Sequence, residues 1–439
     1  MNESQNIEWK QSWHDDYLKW ICGFANAKGG TLVIGKDDNG SVVGLKNFQK
    51  LMEDIPNKII NYLGIICDVN LKKKSGIQYI EIIVYPYGVP ISYHGKYYFR
   101  SGSTTQVLQG APLNEFLLSK AGKTWDDVIE PKATLEDIDK KAIEVFKKNA
   151  IRSSRLPQVE NEKDTNQIFK NLRLLDDENL KRAAVLLFGK DPRKFFINAF
   201  IKIGRFGKSD DELLSQEVVE GNAFELADQT LDILDKKYFK KAISYNSLHR
   251  IETPEYPYDA IREVLLNAIV HRQYSGAPIQ ISIYDDKLMV WNYGALPESI
   301  TIDDLKHKHA SHPRNPILAD VFFKGGLIES WGRGTLKVIQ ECKVAELPEP
   351  EFKEMTGGLL VVFFKNRHSV EQLKILRLNE RQIKAVEYTK TNGVITNKDY
   401  QSLNSIGKTT ATIELSKLVE LGIFNSPHSK GRGAKYTIK

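Results

Sequence analysis

The sequence has little cysteine and no long apolar run. Cys22, Cys67 and Cys342 are far apart and form no CxxC pair. Because disulfide frameworks and structural zinc sites need paired or closely spaced cysteines, we expect neither. No uninterrupted apolar stretch approaches the roughly 18 residues that a membrane span needs, so no membrane-spanning segment is predicted.

The amino-terminal segment lacks the features of a secretory signal, and the composition is ordinary. MNESQNIEWK has no basic start and no apolar run, whereas a signal peptide has both. Hydrophobic residues make up 41% and charged residues 27%, which argues against a mostly disordered or fibrous chain. The 439 residues predict two to four domains, at roughly 100–200 residues per domain. The expected location is cytoplasmic.

The net charge is small and unevenly distributed. The whole chain carries a formal charge of +6, and residues 371–439 hold all of it, with 12 Lys and Arg against 6 Asp and Glu. A basic piece attached to a neutral body is typical of nucleic-acid binding, although a solvated lysine-rich surface has the same composition.

Residues 376–439 have the pattern of three short helices followed by a hairpin, which is the plan of a winged helix-turn-helix. The third helix of that fold reads the major groove of DNA with its first turns. The residues predicted to contact DNA are Lys408, Thr409, Thr410 and Thr412 on this helix and Lys430, Arg432 and Lys435 in the wing. Those predicted to pack the helix inward are Ile413, Leu415, Leu418, Val419 and Leu421.

The segment TTATIELSKLVELGIF, followed by KGRGAKY, resembles the winged-helix domains of bacterial regulators. The resemblance covers about 60 residues and implies DNA binding. The same fold also serves as a protein-interaction module, so a purely structural role stays open.

Residues 251–367 carry the strongest candidate for a ligand site. In the predicted helix YDAIREVLLNAIVHRQY, Glu263 and Asn267 are four residues apart and share one face. A carboxylate can orient or deprotonate a water, and an amide oxygen can ligate Mg²⁺. A solvated polar pair would have the same spacing. Gly332 and Gly334 stand at a predicted helix start, where free backbone N–H groups can hold phosphate.

The succession of EVLLNA, WNYGALP, SHPRNP and WGRG resembles the divergent GHKL-type ATP-binding domain of bacterial proteins described as transcriptional regulators and often called RecG-like. That domain is similar to the ATP sites of gyrase and histidine kinases. The resemblance implies that Glu263 is the catalytic base, that Asn267 binds Mg²⁺, and that ATP contacts Asn267, Asn292, Gly294, Arg314, Asn315, Gly332 and Gly334.

Two departures from the GHKL pattern bear on activity. Asn292 stands where the family has an aspartate, although an amide oxygen can still accept a hydrogen bond from the adenine amine. The glycine box is short, with one GRG in place of a longer glycine run. The resemblance therefore predicts ATP binding and leaves hydrolysis open.

A helicase is not predicted. The sequence contains no GxxxxGK[ST] loop, the motif that cradles phosphates in P-loop ATPases. GKTTA, which starts at Gly407, lacks the upstream glycine and falls in the predicted winged helix.

The amino-terminal piece, residues 1–125, has mixed helix and strand patterns. The motif FANAKGGTLVIGKDDNG places Gly29 at a tight helix-to-strand turn and Gly40 at a hairpin turn. From about Glu3 to Arg100 the sequence resembles the AlbA-like, Schlafen-type domain. The resemblance implies DNA or RNA binding.

Some Schlafen relatives are RNases that use two glutamates and one aspartate around a metal. The matching positions are Glu3, Glu8 and either Asp37 or Asp38. Glu8 and Lys10 form an ExK pair, and on a strand they would share one face. An ordinary hairpin turn would have the same Asp–Asp–Asn–Gly sequence, so a structural role is the alternative.

The predicted fold class is α+β multidomain. The predicted domains are an AlbA-like, Schlafen-type α+β domain at 1–125, an α/β connecting domain at 132–250, a GHKL-like α/β sandwich at 251–367 and a winged helix-turn-helix at 376–439. In the connecting domain, AAVLLFGK and NAFIKIGRFG are predicted strands, and helix-like segments are predicted from Leu213 to about Ser247.

The leading functional hypothesis is an ATP-binding, DNA-binding transcriptional regulator, with RNA as a possible second partner. The nucleotide state of its GHKL-like site would alter the arrangement of the nucleic-acid-binding modules. GHKL relatives often dimerise around ATP, so the resemblance implies a homodimer. The alternative is a Schlafen-like metal-dependent nuclease acting against foreign nucleic acid, and a third hypothesis is an interaction protein with a vestigial pocket.

Overall fold

The chain divides into two compact units, Met1–Val128 and Ile129–Lys439. Both mix helices and sheets, which confirms the predicted α+β class. The computed structural model describes residues 5–207, 209–246, 249–297, 299–329, 332–365, 368, 370–425 and 434–439. Within these ranges no helix is both long enough and apolar enough to cross a membrane.

The elements of the first unit are β1 (Ile7–Lys10), α1 (Leu18–Asn26), β2 (Gly30–Ile34), α2 (Phe48–Leu63), β3 (Asp68–Lys74), β4 (Ile77–Val84), β5 (Tyr98–Ser101), β6 (Thr104–Val107) and α3 (Gly110–Lys120). They include a four-stranded sheet in the order β1-β2-β4-β3 and a separate hairpin, β5–β6. β1 runs parallel to β2, and the other neighbours are antiparallel. Alternate residues of β4, among them Ile80 and Ile82, are fully buried, as one covered sheet face requires.

The hairpin predicted after β2 is present. Gly40 has a φ of +78°, in the left-handed region that glycine adopts at no steric cost. The Asp37 carboxylate accepts hydrogen bonds from the backbone N–H groups of Asn39 at 3.0 Å and Ser41 at 2.8 Å. Asp37 therefore closes this turn with its side chain.

Between residues 129 and 364 the second unit contains α4 (Lys140–Arg152), α5 (Thr165–Asn171), β7 (Leu175–Asp176), β8 (Asn179–Leu180), α6 (Arg182–Phe188), β9 (Ile201–Phe206), β10 (Leu213–Val219), α7 (Ala223–Ile233), β11 (Lys241–Asn246), β12 (His249–Pro254), α8 (Tyr258–His271), β13 (Ile279–Ile283), β14 (Lys287–Tyr293), α9 (Pro316–Lys324), α10 (Gly334–Val344), β15 (Glu351–Met355) and β16 (Gly358–Phe364). Six of these strands form one sheet in the order β10-β9-β13-β14-β16-β15. Helix α8 contacts β14 and also α7, α9 and α10. It is therefore enclosed, and this explains why it is apolar nearly all round.

Shorter helical segments connect these elements. One is a π-helix, Leu234–Tyr238, and the others are one-turn or two-turn 3-10 helices at Asp15–Tyr17, Trp125–Asp127, Leu135–Asp137, Pro157–Asn161, Pro192–Lys194 and Asp304–Lys306.

Two secondary-structure predictions between residues 132 and 250 are wrong. AAVLLFGK, predicted as a strand, lies in α6, where Ala183 to Phe188 are buried against α4, α7 and α9. In a run of residues that are all apolar, the spacing of apolar residues does not distinguish a buried helix from a buried strand. LLSQEVV, predicted as helix-like, is the edge strand β10, and Lys241–Asn246 is also a strand.

The predicted domain boundary at residue 250 would divide the strands of one six-stranded sheet. β9 lies beside β13 and runs parallel to it, with Ile201 opposite Ile279. Residues 201–219 thus supply two strands of the sheet that 279–364 complete. A parallel neighbour needs a long crossover, and the intervening segment here includes α7 and α8.

The carboxy-terminal piece has its own hydrophobic core, which includes Val386, Tyr400 and Leu415. Its elements are α11 (Val370–Ile375), α12 (Glu380–Asn392), β17 (Ile395–Thr396), α13 (Asn397–Asn404), α14 (Lys408–Glu420) and β18 (Lys435–Tyr436). β17 and β18 pair antiparallel. The predicted three helices and the strand after them are therefore present.

The inner face of α14 differs in part from the prediction. Leu415 and Leu418 are fully buried, but Ile413 is 64% exposed and Leu421 is also exposed. Helical periodicity explains the difference, because Ala411, Leu415 and Leu418 recur at the spacing of one face, whereas Ile413 lies two positions from either neighbour.

Candidate functional site

A polar pair lies on the largely apolar helix α8. Asn267 Nδ2 donates a hydrogen bond to Glu263 Oε1 at 3.2 Å, and Glu263 is only 5% exposed. Burial raises the pKa of the Glu263 carboxyl above its ordinary value, and the hydrogen bond from Asn267 opposes that shift. A carboxyl group with a raised pKa is better suited to accept a proton than an exposed one.

Helix α10 begins directly against this pair. A Cβ atom built on Gly334, the first residue of α10, would overlap Glu263 Oε1 and lie 3.1 Å from Asn267 Nδ2. Side chains on α8 and the first turn of α10 are thus brought within contact distance, as the sequence hypothesis requires. The side chain of the N-cap residue of α10, Arg333, makes no capping hydrogen bond, and the N–H groups of a helix's first turn have no partner within the helix.

A second set of predicted residues surrounds the carboxyl end of α8. Gly294 has a φ of +126°, and a Cβ there would lie 3.1 Å from Arg314 Nε and 3.4 Å from the carbonyl oxygen of His271. Arg314 Nη2 donates to the Ala295 carbonyl at 2.8 Å. A Cβ on Gly332 would overlap the His309 carbonyl. The loop around 309–314 therefore lies against both glycine positions.

His271 is held neutral in this environment. The pKa of the His271 imidazole is lowered from 6.5 to about 4, mainly by burial and in smaller part by the nearby Arg314 and His309 side chains. At neutral pH the cation in this part of the site is therefore Arg314, and it is Arg314 that can attract an anion.

The other two asparagines of the prediction, Asn292 and Asn315, have different environments. Asn292 lies in β14 opposite Leu359 and is buried. Asn315 is 1% exposed, and its Nδ2 donates to the carbonyls of Val270 and Arg272 at 2.8 Å each. The amide nitrogen of Asn315 thus joins the end of α8 to the start of α9, which is a structural role that the sequence did not reveal.

The donor set fits a magnesium nucleotide. Thr335 Oγ1, in the first turn of α10, is buried and has no hydrogen-bond partner among the described residues. Asn267 uses its amide nitrogen on Glu263, which leaves its oxygen for a cation. Carboxylate and amide oxygens are ligands that Mg²⁺ prefers, and an uncapped helix N-terminus suits phosphate.

Among the nuclease candidates that the structure describes, Glu8 is not brought together with Asp37. The Glu8 carboxylate lies 2.7 Å from Arg100 Nη2 and 2.6 Å from Lys10 Nζ. The 37–40 hairpin covers the other face of β1, because a Cβ on Gly40 would lie 2.8 Å from the Trp9 ring. Adjacent strand residues point to opposite faces, so Glu8 points away from that hairpin.

A metal centre at these positions has no further support. Glu3 lies outside the described residues. In the described part of the chain, no three His, Cys, Asp or Glu side chains are arranged so that they could hold a metal ion. Asp38 lies in the same hairpin turn as Asp37.

The candidate nucleic-acid residues of α14 lie at its exposed amino-terminal end. Lys408, Thr409, Thr410 and Thr412 are exposed, as is Lys435 on β18. The Thr412 hydroxyl donates to the Lys408 carbonyl at 2.9 Å and accepts from Asn397 Nδ2 at 2.9 Å. Lys430 and Arg432 lie outside the described residues.

A carboxylate that the sequence did not single out fixes the orientation of α14. Glu414 Oε1 accepts from Asn379 Nδ2 at 2.7 Å, and Glu414 Oε2 accepts from Arg381 Nε at 3.1 Å and from the Tyr400 hydroxyl at 2.8 Å. The hydrogen bonds from Arg381 hold the pKa of the Glu414 carboxyl below its usual value. These partners lie on α12 and α13, so one side chain joins three helices.

Two family models match parts of the chain. Residues 276–363 match the family described as "Putative ATP-dependent DNA helicase recG C-terminal". Residues 3–109 match the family described as "Schlafen, AlbA_2". The two matches indicate ATP binding in the second unit and nucleic-acid binding in the first. Glu263 and Asn267 precede the matched part of the second unit.

The comparisons with individual proteins add no function. No curated protein matches the chain. Among solved structures the chain is similar to the DIP2311 protein from Corynebacterium diphtheriae, at 19% sequence identity and a TM-score of 0.46, over 99% of this chain and 92% of that chain.

Proposed function

We propose that this protein is an ATP-binding, nucleic-acid-binding regulator, with a GHKL-like nucleotide site in the second unit. The observation that carries the proposal is the contact of Gly334, at the uncapped start of α10, with Glu263 and Asn267 on α8. In this proposal the N–H groups at the start of α10 bind phosphate beside the buried Glu263 carboxylate and the Asn267 amide.

Each residue of the site has a definable task in this proposal. The first turn of α10 binds the phosphates through its N–H groups and the favourable end of the helix dipole. Asn267 ligates Mg²⁺ through its side-chain oxygen, and Mg²⁺, when bound, would neutralise part of the phosphate charge. Glu263 orients a water, and if turnover occurs it accepts the proton of that water. Asn292 accepts from the adenine amine and Gly294 lets the base approach the backbone.

Asn267→Ala is expected to weaken Mg-ATP binding by about tenfold, because one ligand of the cation is removed, and about 1.4 kcal/mol corresponds to a factor of ten. The measurement is titration calorimetry with ATP, with Mg²⁺ and with EDTA. Binding without Mg²⁺ should change little. An exposed asparagine, Asn392→Ala, is the matched control. Unchanged Mg-ATP affinity in a folded Asn267→Ala protein would contradict the proposal.

For the carboxy-terminal piece we propose a winged helix that binds DNA. The observation in favour is that Lys408 and its threonine neighbours are exposed on the first turns of α14, while Leu415 and Leu418 bury the other face. Lys435 on β18 lies on the strand that the wing would lead into. Basic residues on these two elements meet phosphates on both sides of a groove.

The double variant Lys408→Ala, Lys435→Ala is expected to weaken DNA binding and to lower the salt slope. Removing a lysine that meets a phosphate reduces that slope by about 1, so the double variant should show a slope smaller by about 2. The measurement is fluorescence anisotropy with duplex DNA over a series of salt concentrations. Lys384→Ala, an exposed lysine on α12, is the control. An unchanged slope would assign the affinity to the first unit instead.

Neither helicase activity nor cleavage is part of the proposal. The sequence contains no P-loop for phosphate, and Glu8 and the 37–40 hairpin lie on opposite faces of β1. In the proposed regulator the nucleotide state changes the arrangement of the nucleic-acid-binding modules, and by analogy with related ATPases the active form is a homodimer.

A further inference from the structure

The turn that follows α9 is held by a side chain from outside that helix. Arg155 follows α4 in the chain. Its Nη1 donates to the carbonyl oxygens of Phe323 at 2.9 Å and Ile328 at 2.6 Å. Its Nη2 lies 2.7 Å from Glu329 Oε1, and its guanidinium lies 4.4 Å from the centre of the Phe323 ring. One side chain thus holds both ends of the turn that follows α9.

A second arginine holds the middle of the same turn. Arg262, next to Glu263 on α8, donates from Nη2 to the Leu327 carbonyl at 2.7 Å. The turn also packs closely on the end of α4, because a Cβ on Gly326 would lie 2.5 Å from the Ser153 Cβ. Two guanidinium groups and a steric contact therefore fix residues 323–329.

The backbone contacts of Arg155 matter more than its ion pair. The Glu329 side chain is 60% exposed, and an exposed ion pair is screened and contributes little to stability. The carbonyl bonds are partly buried, and a charged donor makes stronger hydrogen bonds than a neutral one. The guanidinium fork can serve several acceptors at once, which a lysine cannot do.

This turn leads into the glycine box of the candidate nucleotide site. Glu329 is three residues from Gly332 and five from Gly334. A five-residue connection spans at most about 17 Å, so fixing Glu329 limits where α10 can begin. The charge of Glu329 also contributes to the raised pKa of the Glu263 carboxyl.

We propose that Arg155 is a positioning residue for the nucleotide phosphates. By holding the turn at 323–329 it fixes the start of α10 against Glu263 and Asn267. This assigns a role to the segment after α4, for which the sequence indicated no chemistry. The inference rests on the proposed ATP site, and it makes phosphate binding, but not base binding, depend on Arg155.

The test compares full-length wild type with Arg155→Ala, Arg155→Lys and Arg152→Ala. Arg152, at the exposed end of α4, is the matched control. Titration with ATP, ADP and adenosine should show the Kd for ATP and ADP raised about tenfold in Arg155→Ala. The Kd for adenosine should stay within about twofold, because the base does not contact α10. Arg155→Lys should fall between Arg155→Ala and wild type, because lysine keeps the charge without the fork.

Hydrogen exchange separates this inference from the proposed ATP site. In Arg155→Ala, the amides of residues 332–336 should exchange faster than in wild type, while β13 and β14 keep their protection. That result supports the positioning of the start of α10 by Arg155 even if wild type binds no ATP, in which case the proposed ATP site fails and this positioning remains. Unchanged exchange at 332–336 overturns the inference. Faster exchange throughout the second unit also overturns it, because Arg155 would then be a general stability residue.

Discussion

Glu8→Ala is expected to lower the free energy of unfolding of the first unit by about 3–5 kcal/mol, the usual cost of removing one partner of a buried ion pair. The Glu8 and Arg100 side chains are 5% and 0% exposed, and their charged atoms lie 2.7 Å apart. Removal of the carboxylate leaves the guanidinium charge buried without this ion pair, 5.2 Å from the centre of the Phe24 ring. The low dielectric of this interior makes the loss large.

The measurement is native-state hydrogen exchange of the full chain, read at β2, since β1 pairs with it. Glu53→Ala, an exposed glutamate on α2, is the control and should change exchange little. The experiment also separates the two hypotheses for Glu8. A metal ligand of a nuclease can be removed with little loss of stability. A Glu8→Ala protein that is as stable as wild type, but has lost a cleavage activity that wild type shows, would therefore contradict the structural role of the Glu8–Arg100 pair.

Gly334→Ala is expected to weaken ATP binding by about 10-fold to 100-fold. The added Cβ would overlap Glu263 Oε1, and relief requires that α10 moves or that the Glu263–Asn267 pair rotates away. Overpacking of this kind costs about 1–3 kcal/mol, and each 1.4 kcal/mol corresponds to about tenfold in affinity. Both routes of relief separate the first turn of α10 from the α8 pair, so the loss should appear in binding as well as in stability.

The measurement is calorimetric titration with Mg-ATP, together with thermal unfolding. Gly407→Ala is a matched control, since Gly407 also stands at the start of a helix but a Cβ there would meet nothing within 4 Å. If Gly334→Ala binds ATP as wild type does, α10 does not supply the phosphate contacts. If ADP and ATP are affected and adenosine is not, the contact with phosphate is supported.

Local sequence signals were sufficient for elements whose conformation depends on near neighbours. The Asp–Asp–Asn–Gly turn is present because Asp37 and Gly40 close it within five residues. Helix α8 and the start of α10 follow from helical spacing and from glycine at a helix end. These patterns predicted the α8 pair and the glycine box, and the structure brings Gly334 of that box into contact with the pair.

Local signals failed where burial alone determined the conformation. The segment Ala183–Phe188 is apolar throughout, and it is a helix because α4, α7 and α9 enclose it. Asn315 has the same sequence context as an exposed loop residue, but it is buried. Its side-chain N–H groups donate to the Val270 and Arg272 carbonyls at the end of α8, which have no partner within the helix. Neither fact is visible in the residues next to these positions.

The sequence by itself determined the α+β class and singled out the candidate ligand residues, because motif residues such as Glu263, Asn267 and Gly334 are recognised by their chemistry and spacing. Only the tertiary structure decided which partners those residues have. It paired Glu8 with Arg100, which is 92 positions away, and it brought Arg155 to the turn before α10. The physical reason is that hydrogen bonds and ion pairs act over a few ångströms of space, whatever the separation along the chain.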